Sequence, residues 1–245
     1  MNSIKVTNIF LESPQWYAPE ACSFQLLGNG VDVWKIAVSD NAQTDPEMLA
    51  LLSTAEFERC SRFYRETDRN RFVTSRWAMK NIAGKYLRSL PAELVFGSGK
   101  NNKPFVKDAK DFHYSMSHSN HTILLAIANC EIGADIEFID AKFGYREVLK
   151  DNFSVKESEY IIEKESISRF FTAWTRKEAI TKATAQGLDC DLKLLPGLDG
   201  EHYVPGGIID SSDDWVIRSF YTGANYMSSV ATPPHIRDLS FFNFG

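Results

Sequence analysis

The stretch IGADIEFI, Ile132 to Ile139, reads as a β-strand. Alternate residues on a strand point to the same side, so Asp135 and Glu137 share a face. Two carboxylates side by side among Ile132, Ile136, Phe138 and Ile139 repel each other, and burying them unpaired is costly. A divalent cation relieves both problems, and hard oxygen ligands of this kind suit Mg²⁺. The same acid-x-acid spacing recurs at Glu56/Glu58, Glu157/Glu159, Glu163/Glu165 and Asp189/Asp191. Those pairs lie in polar or helical sequence, where a solvated face is expected.

Upstream, Thr122 to Ala128 and Phe112 to Met116 alternate and predict two more strands. From Leu94, LVF, GSGKNNKP and FV predict strand, glycine-rich turn and short strand. Val31 to Val38 predicts a strand. Ser53 with Glu56 has capping-box spacing before a helix carrying Phe57, Cys60 and Phe63. A second helix is predicted from about Asp68 to Leu87. Residues 1–30, with Pro14, Pro19 and Gly28, predict an irregular lead-in. Downstream, Ser154 and Glu157 repeat the capping-box spacing. A long helix is predicted over Phe170 to Ala185, ended by Gly187. Trp215 to Tyr221 and Tyr226 to Thr232 predict a closing antiparallel pair. The order is that of an α+β chain whose halves, residues 1–120 and 121–245, echo one another.

The 245 residues include 27 Lys and Arg against 32 Asp and Glu, a net charge of −5. No global basic field exists to hold duplex nucleic acid, so phosphate binding must come from a local cluster. Hydrophobic residues make up 44% and charged residues 24%, which excludes a disordered chain, a collagen-like fibre and a coiled coil. Cys22, Cys60, Cys130 and Cys190 form no CxxC pair, so a zinc ribbon is not expected and reduced thiols of a cytoplasmic protein are. The apolar run Ile123 to Ala128 is too short to span a bilayer.

Three further groups carry chemistry. In WTRKEAITK, residues Trp174, Glu178 and Lys182 lie four apart on one helix face, beside Lys177. An ordinary Glu–Lys helix pair and a third carboxylate with a phosphate-directed lysine both fit that spacing. In YSMSHSN, Ser115, Ser117, His118 and Ser119 crowd a strand end; without a G-x-S-x-G elbow, hydrogen bonding to phosphate or backbone is more natural than serine hydrolysis. Arg59, Arg62, Arg65, Arg69, Arg71 and Arg76 concentrate guanidinium groups, which grip phosphate bidentately. The GSGKNNKP turn lacks P-loop spacing.

In this order, Lys103-Pro104, Tyr114 to Ser119, Gly133 to Glu137, Phe153 to Glu157 and Trp174 to Lys182 resemble the 4'-phosphopantetheinyl transferases of the surfactin-synthetase-activating (Sfp) type. The resemblance runs from about Ser53 to Leu188. It implies two similar α/β subdomains in a pseudo-twofold arrangement, with coenzyme A at their junction. The implied reaction moves the 4'-phosphopantetheine arm to a serine of an apo acyl, peptidyl or polyketide carrier protein, leaving 3',5'-ADP. Asp135, Glu137 and Glu178 would hold Mg²⁺ against the pyrophosphate. Lys182 would contact that pyrophosphate, and His118, with Ser117 nearby, would bond a phosphate. Lys103 and Pro104 would lie along the adenine, and Arg59 with Arg62 and Arg71 would meet the 3'-phosphate. Trp174 and Lys177 would brace the helix, Lys177 being a candidate for the pantetheine side. Glu178 or a metal-activated water would take the serine proton.

Ala134 stands where a branched residue is commoner in the family, and Ala185 where the family usually has the first glycine of a G-x-G-L turn, followed by Gln186, Gly187 and Leu188. An extended last helical turn is the expected accommodation. A monomer is expected, because one chain would supply both sides of the cleft. The competing readings are a coenzyme A-binding or carrier-docking protein without turnover, and a Mg²⁺-dependent nucleotide phosphohydrolase.

Overall fold

The computed structural model describes residues 3–163, 166–187 and 190–244. Glu165, Leu188 and Asp189, which enter two acid pairs and the end of the resemblance, lie outside the described residues.

The strands are β1 (Ser3–Phe10), β2 (Trp16–Tyr17), β3 (Gly30–Ala37), β4 (Phe96–Ser98), β5 (Pro104–Val106), β6 (His113–Ser119), β7 (Thr122–Ala128), β8 (Gly133–Phe138), β9 (Gly200–Pro205), β10 (Trp215–Gly223), β11 (Tyr226–Thr232) and β12 (Asp238–Phe244). The helices are α1 (Pro46–Ala50), α2 (Thr54–Ser61), α3 (Glu66–Leu87), α4 (Tyr145–Asn152), α5 (Val155–Glu163) and α6 (Ile167–Ala183). One sheet runs β2-β12-β3-β7-β6 and the other β8-β11-β10-β1-β9. β4 and β5 form a separate hairpin.

Side-chain alternation on β7 shows how the layers stack. Ile123, Leu125 and Ile127 join Trp34, Met79 and Ile82 under α3. Leu124, Ala126 and Ala128 face the other way and pack against Ile136, Phe220 and Val230 of the second sheet. β7 is thus buried on both faces, which is why it reads as an unbroken apolar run. Each of its large side chains is worth about 1.5–3 kcal/mol on burial. On the far side, Ala179 and Ile180 of α6 close over Ile217 and Ala231. The order of layers is α3, first sheet, second sheet, α6.

The irregular lead-in expected over residues 1–30 is corrected by β1. Ile4, Val6 and Asn8 alternate inward, and β1 sits between β10 and β9. Its core-facing side is short and mixed with polar residues, so its pattern is weak in isolation. β12 lies between β3 and β2 and was not anticipated either. The chain termini therefore cross: β1 completes the sheet of the second half, and β12 that of the first. The β6–β7 hairpin turns at residue 120, and both its strands belong to the first sheet.

The capping boxes form at both expected places. Ser53 and Glu56 cap α2 reciprocally, and Ser154 does the same with Glu157 before α5. Glu157 is nevertheless not solvated. It is buried and accepts from the Lys177 ammonium at 3.0 Å.

Candidate active site

Asp135 is 3% exposed and sits on β8, at the edge of the second sheet. One of its oxygens, Oδ1, accepts from Ser117 Oγ at 2.7 Å and from Lys182 Nζ at 2.6 Å. The other, Oδ2, is buried and has no hydrogen-bond partner among the described residues. Glu137, two residues on, accepts from Ser119 Oγ at 3.0 Å. Burial, then the charge of Asp135, pushes the Glu137 carboxyl up to about 7, and Glu178 adds to that rise. Glu178 is itself raised by burial and then by Asp135. The three acids thus share one electrostatic environment.

Gly133 makes the arrangement possible. A Cβ there would overlap the Ala179 carbonyl oxygen and the Ala183 backbone of α6. Without one, the helix lies directly on the strand and brings Glu178 and Lys182 over Asp135. Further along α6, Trp174 stacks on Phe170, with Phe153 beside it, which anchors the helix to the α4–α5 side. Among the described residues, no group of three His, Cys, Asp or Glu side chains is already drawn together as a cage for a metal ion. Asp135 turns one oxygen to Lys182, and Glu137 turns to Ser119.

Lys177 does not face a pantetheine side. Its ammonium is fully buried, bonded to Glu157 and to the carbonyls of Leu192 and Leu195. It braces α6 against the α5 end and the 190s loop. Ala185 is accommodated differently from expectation as well. α6 stops at Ala183, Thr184 caps it, and Ala185 takes a positive φ of 50°. That left-handed geometry is the one a glycine adopts without strain.

His118 projects into solvent from the end of β6; desolvation on its protein side, then the Arg71 charge, lowers its pKa. Lys103 bonds Glu131 and the Ala183 carbonyl, next to Lys182. With Pro104 it lines a cavity of about 1510 Å³, together with Phe112, His113 and Trp215; neither His118 nor the three acids border it. Arg59 and Arg62 are exposed, Arg59 lying over the Phe72 ring. Arg71 pairs with Asp68, Arg76 with Glu56, and Arg69 ties Gln43 to the carbonyls of Phe63 and Tyr64. The arginine cluster therefore divides into Arg69, Arg71 and Arg76, which hold the fold, and Arg59, Arg62 and Arg65, which are exposed. Cys22, Cys60, Cys130 and Cys190 are unbridged. Among the described residues no helix is long and apolar enough to cross a membrane.

Ser119 was visible only as one hydroxyl among several. The signal that could have singled it out is the match between Ser-x-Ser-x-Ser on β6 and Asp-x-Glu on β8.

Residues 41–130 match a family model described as 4'-phosphopantetheinyl transferase, N-terminal, and residues 131–202 match that of the 4'-phosphopantetheinyl transferase superfamily. The chain is 28% identical over 191 residues to the 4'-phosphopantetheinyl transferase HetI of a Nostoc sp. (74% of this chain, 81% of the relative). It is 24% identical over 208 residues to the transferase Sfp of Bacillus subtilis (82% and 92%). It is 32% identical over 177 residues to a Synechocystis sp. chain that bears the same transferase name provisionally (69% and 70%). The chain belongs to the 4'-phosphopantetheinyl transferase family. It is an enzyme of that class, and its mixed α+β architecture agrees with the family's.

Proposed function

We propose that this enzyme transfers the 4'-phosphopantetheine arm of coenzyme A to a serine hydroxyl of an apo carrier protein, releases 3',5'-ADP, and requires Mg²⁺ held by Asp135, Glu137 and Glu178. The observation that carries the metal assignment is Asp135 Oδ2, a buried acceptor without a donor. Such an atom is costly to leave unsatisfied, and a cation satisfies it. The donor set is carboxylate oxygen throughout, which is the chemistry of a hard divalent ion. When bound there, Mg²⁺ supplies charge neutralisation at the phosphoryl oxygens.

The chain's own residues do the rest. Lys182, bonded to Asp135 and Ser117, neutralises charge building on the diphosphate as the nucleotide leaves. His118 donates to a phosphate oxygen from the end of β6. Lys103 and Pro104 run along the adenine, and Arg59 with Arg62 takes the 3'-phosphate. Glu178 and a metal-activated water are both candidates for the serine proton, because a carboxylate that holds Mg²⁺ is a weaker base than a free one. The two subdomains are residues 1–120 and 121–245, which exchange strands, β7 and β12 joining the first sheet and β1 the second; a single chain supplies both walls of the cleft, and a cytoplasmic monomer is the proposed working unit.

Incubation with coenzyme A, Mg²⁺ and an apo carrier, followed by intact-mass measurement, tests this reading. The carrier gains one phosphopantetheine with an equivalent of 3',5'-ADP, and chelation of the metal stops both. Nucleotide release without a carrier would make the enzyme a phosphohydrolase. Coenzyme A binding with no transfer across a panel of carriers would make it a binding protein.

A further inference from the structure

We propose that Ser119 is a positioning residue, whose hydroxyl sets the Glu137 carboxylate toward the cation; this rests on the metal reading above. β6 and β8 are edge strands of different sheets, and no backbone ladder joins them. They are stitched instead by serine hydroxyls at every second position of β6. Ser115 Oγ accepts the Ala134 N–H at 2.9 Å. Ser117 Oγ donates to Asp135 at 2.7 Å. Ser119 Oγ accepts the Phe138 N–H at 2.9 Å and donates to Glu137 Oε2 at 3.0 Å.

The third contact has a consequence the first lacks. A hydroxyl has a single proton. Once the Phe138 N–H occupies its oxygen, that proton is aimed at the carboxylate. Glu137 has three rotatable side-chain bonds and sits beside two like charges. Ser119 removes part of that freedom before any ion arrives. Its orientation is fixed by backbone of the same strand that carries Glu137, so donor and acceptor move as one unit. Ser115 is an internal control. It makes the same kind of backbone stitch opposite Gly133 and Ala134, where no side-chain acceptor exists.

The test reads metal binding directly. Mn²⁺ is titrated into the full chain with coenzyme A bound, and free Mn²⁺ is followed by electron paramagnetic resonance. Loss of an outer partner of a ligand weakens binding by about 10–100-fold, so Ser119→Ala should lose about tenfold or more, while Ser119→Thr stays within about threefold of wild type. Ser115→Ala should lower the melting temperature yet bind Mn²⁺ as wild type does. The coenzyme A KM at saturating metal should be unchanged in Ser119→Ala.

Wild-type Mn²⁺ affinity in folded Ser119→Ala, alongside loss in a Glu137→Ala control, would overturn the positioning role and leave the metal reading intact. Wild-type affinity in Glu137→Ala as well would bring down both. Should Ser119→Ala fail to fold, a folded Ser119→Thr that has lost Mn²⁺ binding also contradicts the proposal.

Discussion

Lys182 and Asp135 meet at 2.6 Å across the contact of α6 with β8, and the pair uses only one carboxylate oxygen. The lysine is about one-third exposed while the aspartate is buried. The buried partner is therefore the one that depends on the contact. Removing the ammonium leaves a sealed carboxylate with only the Ser117 hydroxyl.

Lys182→Met should lower the turnover of carrier modification by about 10²–10³-fold, the size expected for loss of one charge-stabilising group. Lys182→Arg should recover part of it. Steady-state rates of holo-carrier formation measure both, and a Met variant within a few-fold of wild type would remove Lys182 from the chemistry.

Gly133→Ala should both destabilise the fold and cripple transfer. The added methyl has no room against Ala179 and Ala183, so α6 must move and carry Glu178 and Lys182 with it. Overpacking of this kind costs about 1–3 kcal/mol, and more against backbone. Denaturant unfolding and a transfer assay on the same sample check it; wild-type values in both would mean that the close approach is not needed.

Glu157→Gln should destabilise the chain by about 3–5 kcal/mol, because it strands the buried Lys177 ammonium without its counter-charge. Burial already lowers the Lys177 pKa. The double variant Glu157→Gln with Lys177→Met should be more stable than Glu157→Gln alone. If the second substitution instead adds its own loss in full, the two residues are not acting as a pair.

Arg59→Ala should weaken coenzyme A by about 10–100-fold, matching a charge-assisted contact of about 1.5–3 kcal/mol. It should leave 3'-dephospho-coenzyme A nearly untouched. Calorimetric titration with both ligands is decisive, since equal losses would take Arg59 away from the 3'-phosphate.

Local pattern made much of this molecule legible. β7, β8 and β11 announce themselves through residue alternation or apolar runs, and Ser53 and Glu56 mark a helix start through contacts three residues apart. Asp135 and Glu137 are legible as a pair on one strand face for the same reason, whereas spacing alone leaves Glu178 open and only the family resemblance joins it to them. What stayed hidden depends on partners distant in the chain. β1 becomes a strand because β9 and β10 flank it some two hundred residues away. Lys177 is expected to brace the helix, but its partners, Glu157 and the Leu192 and Leu195 carbonyls, come from segments that local pattern does not join to it. Ser119 is an ordinary hydroxyl until the edge of the other sheet arrives.

The most direct test of the central claim is an anomalous-scattering map from crystals grown with coenzyme A and Mn²⁺. The account predicts a single Mn²⁺ peak in direct coordination with carboxylate oxygens of Asp135, Glu137 and Glu178 and with the diphosphate of the cofactor. A peak held elsewhere, or one that leaves Glu178 outside the coordination sphere, would contradict it.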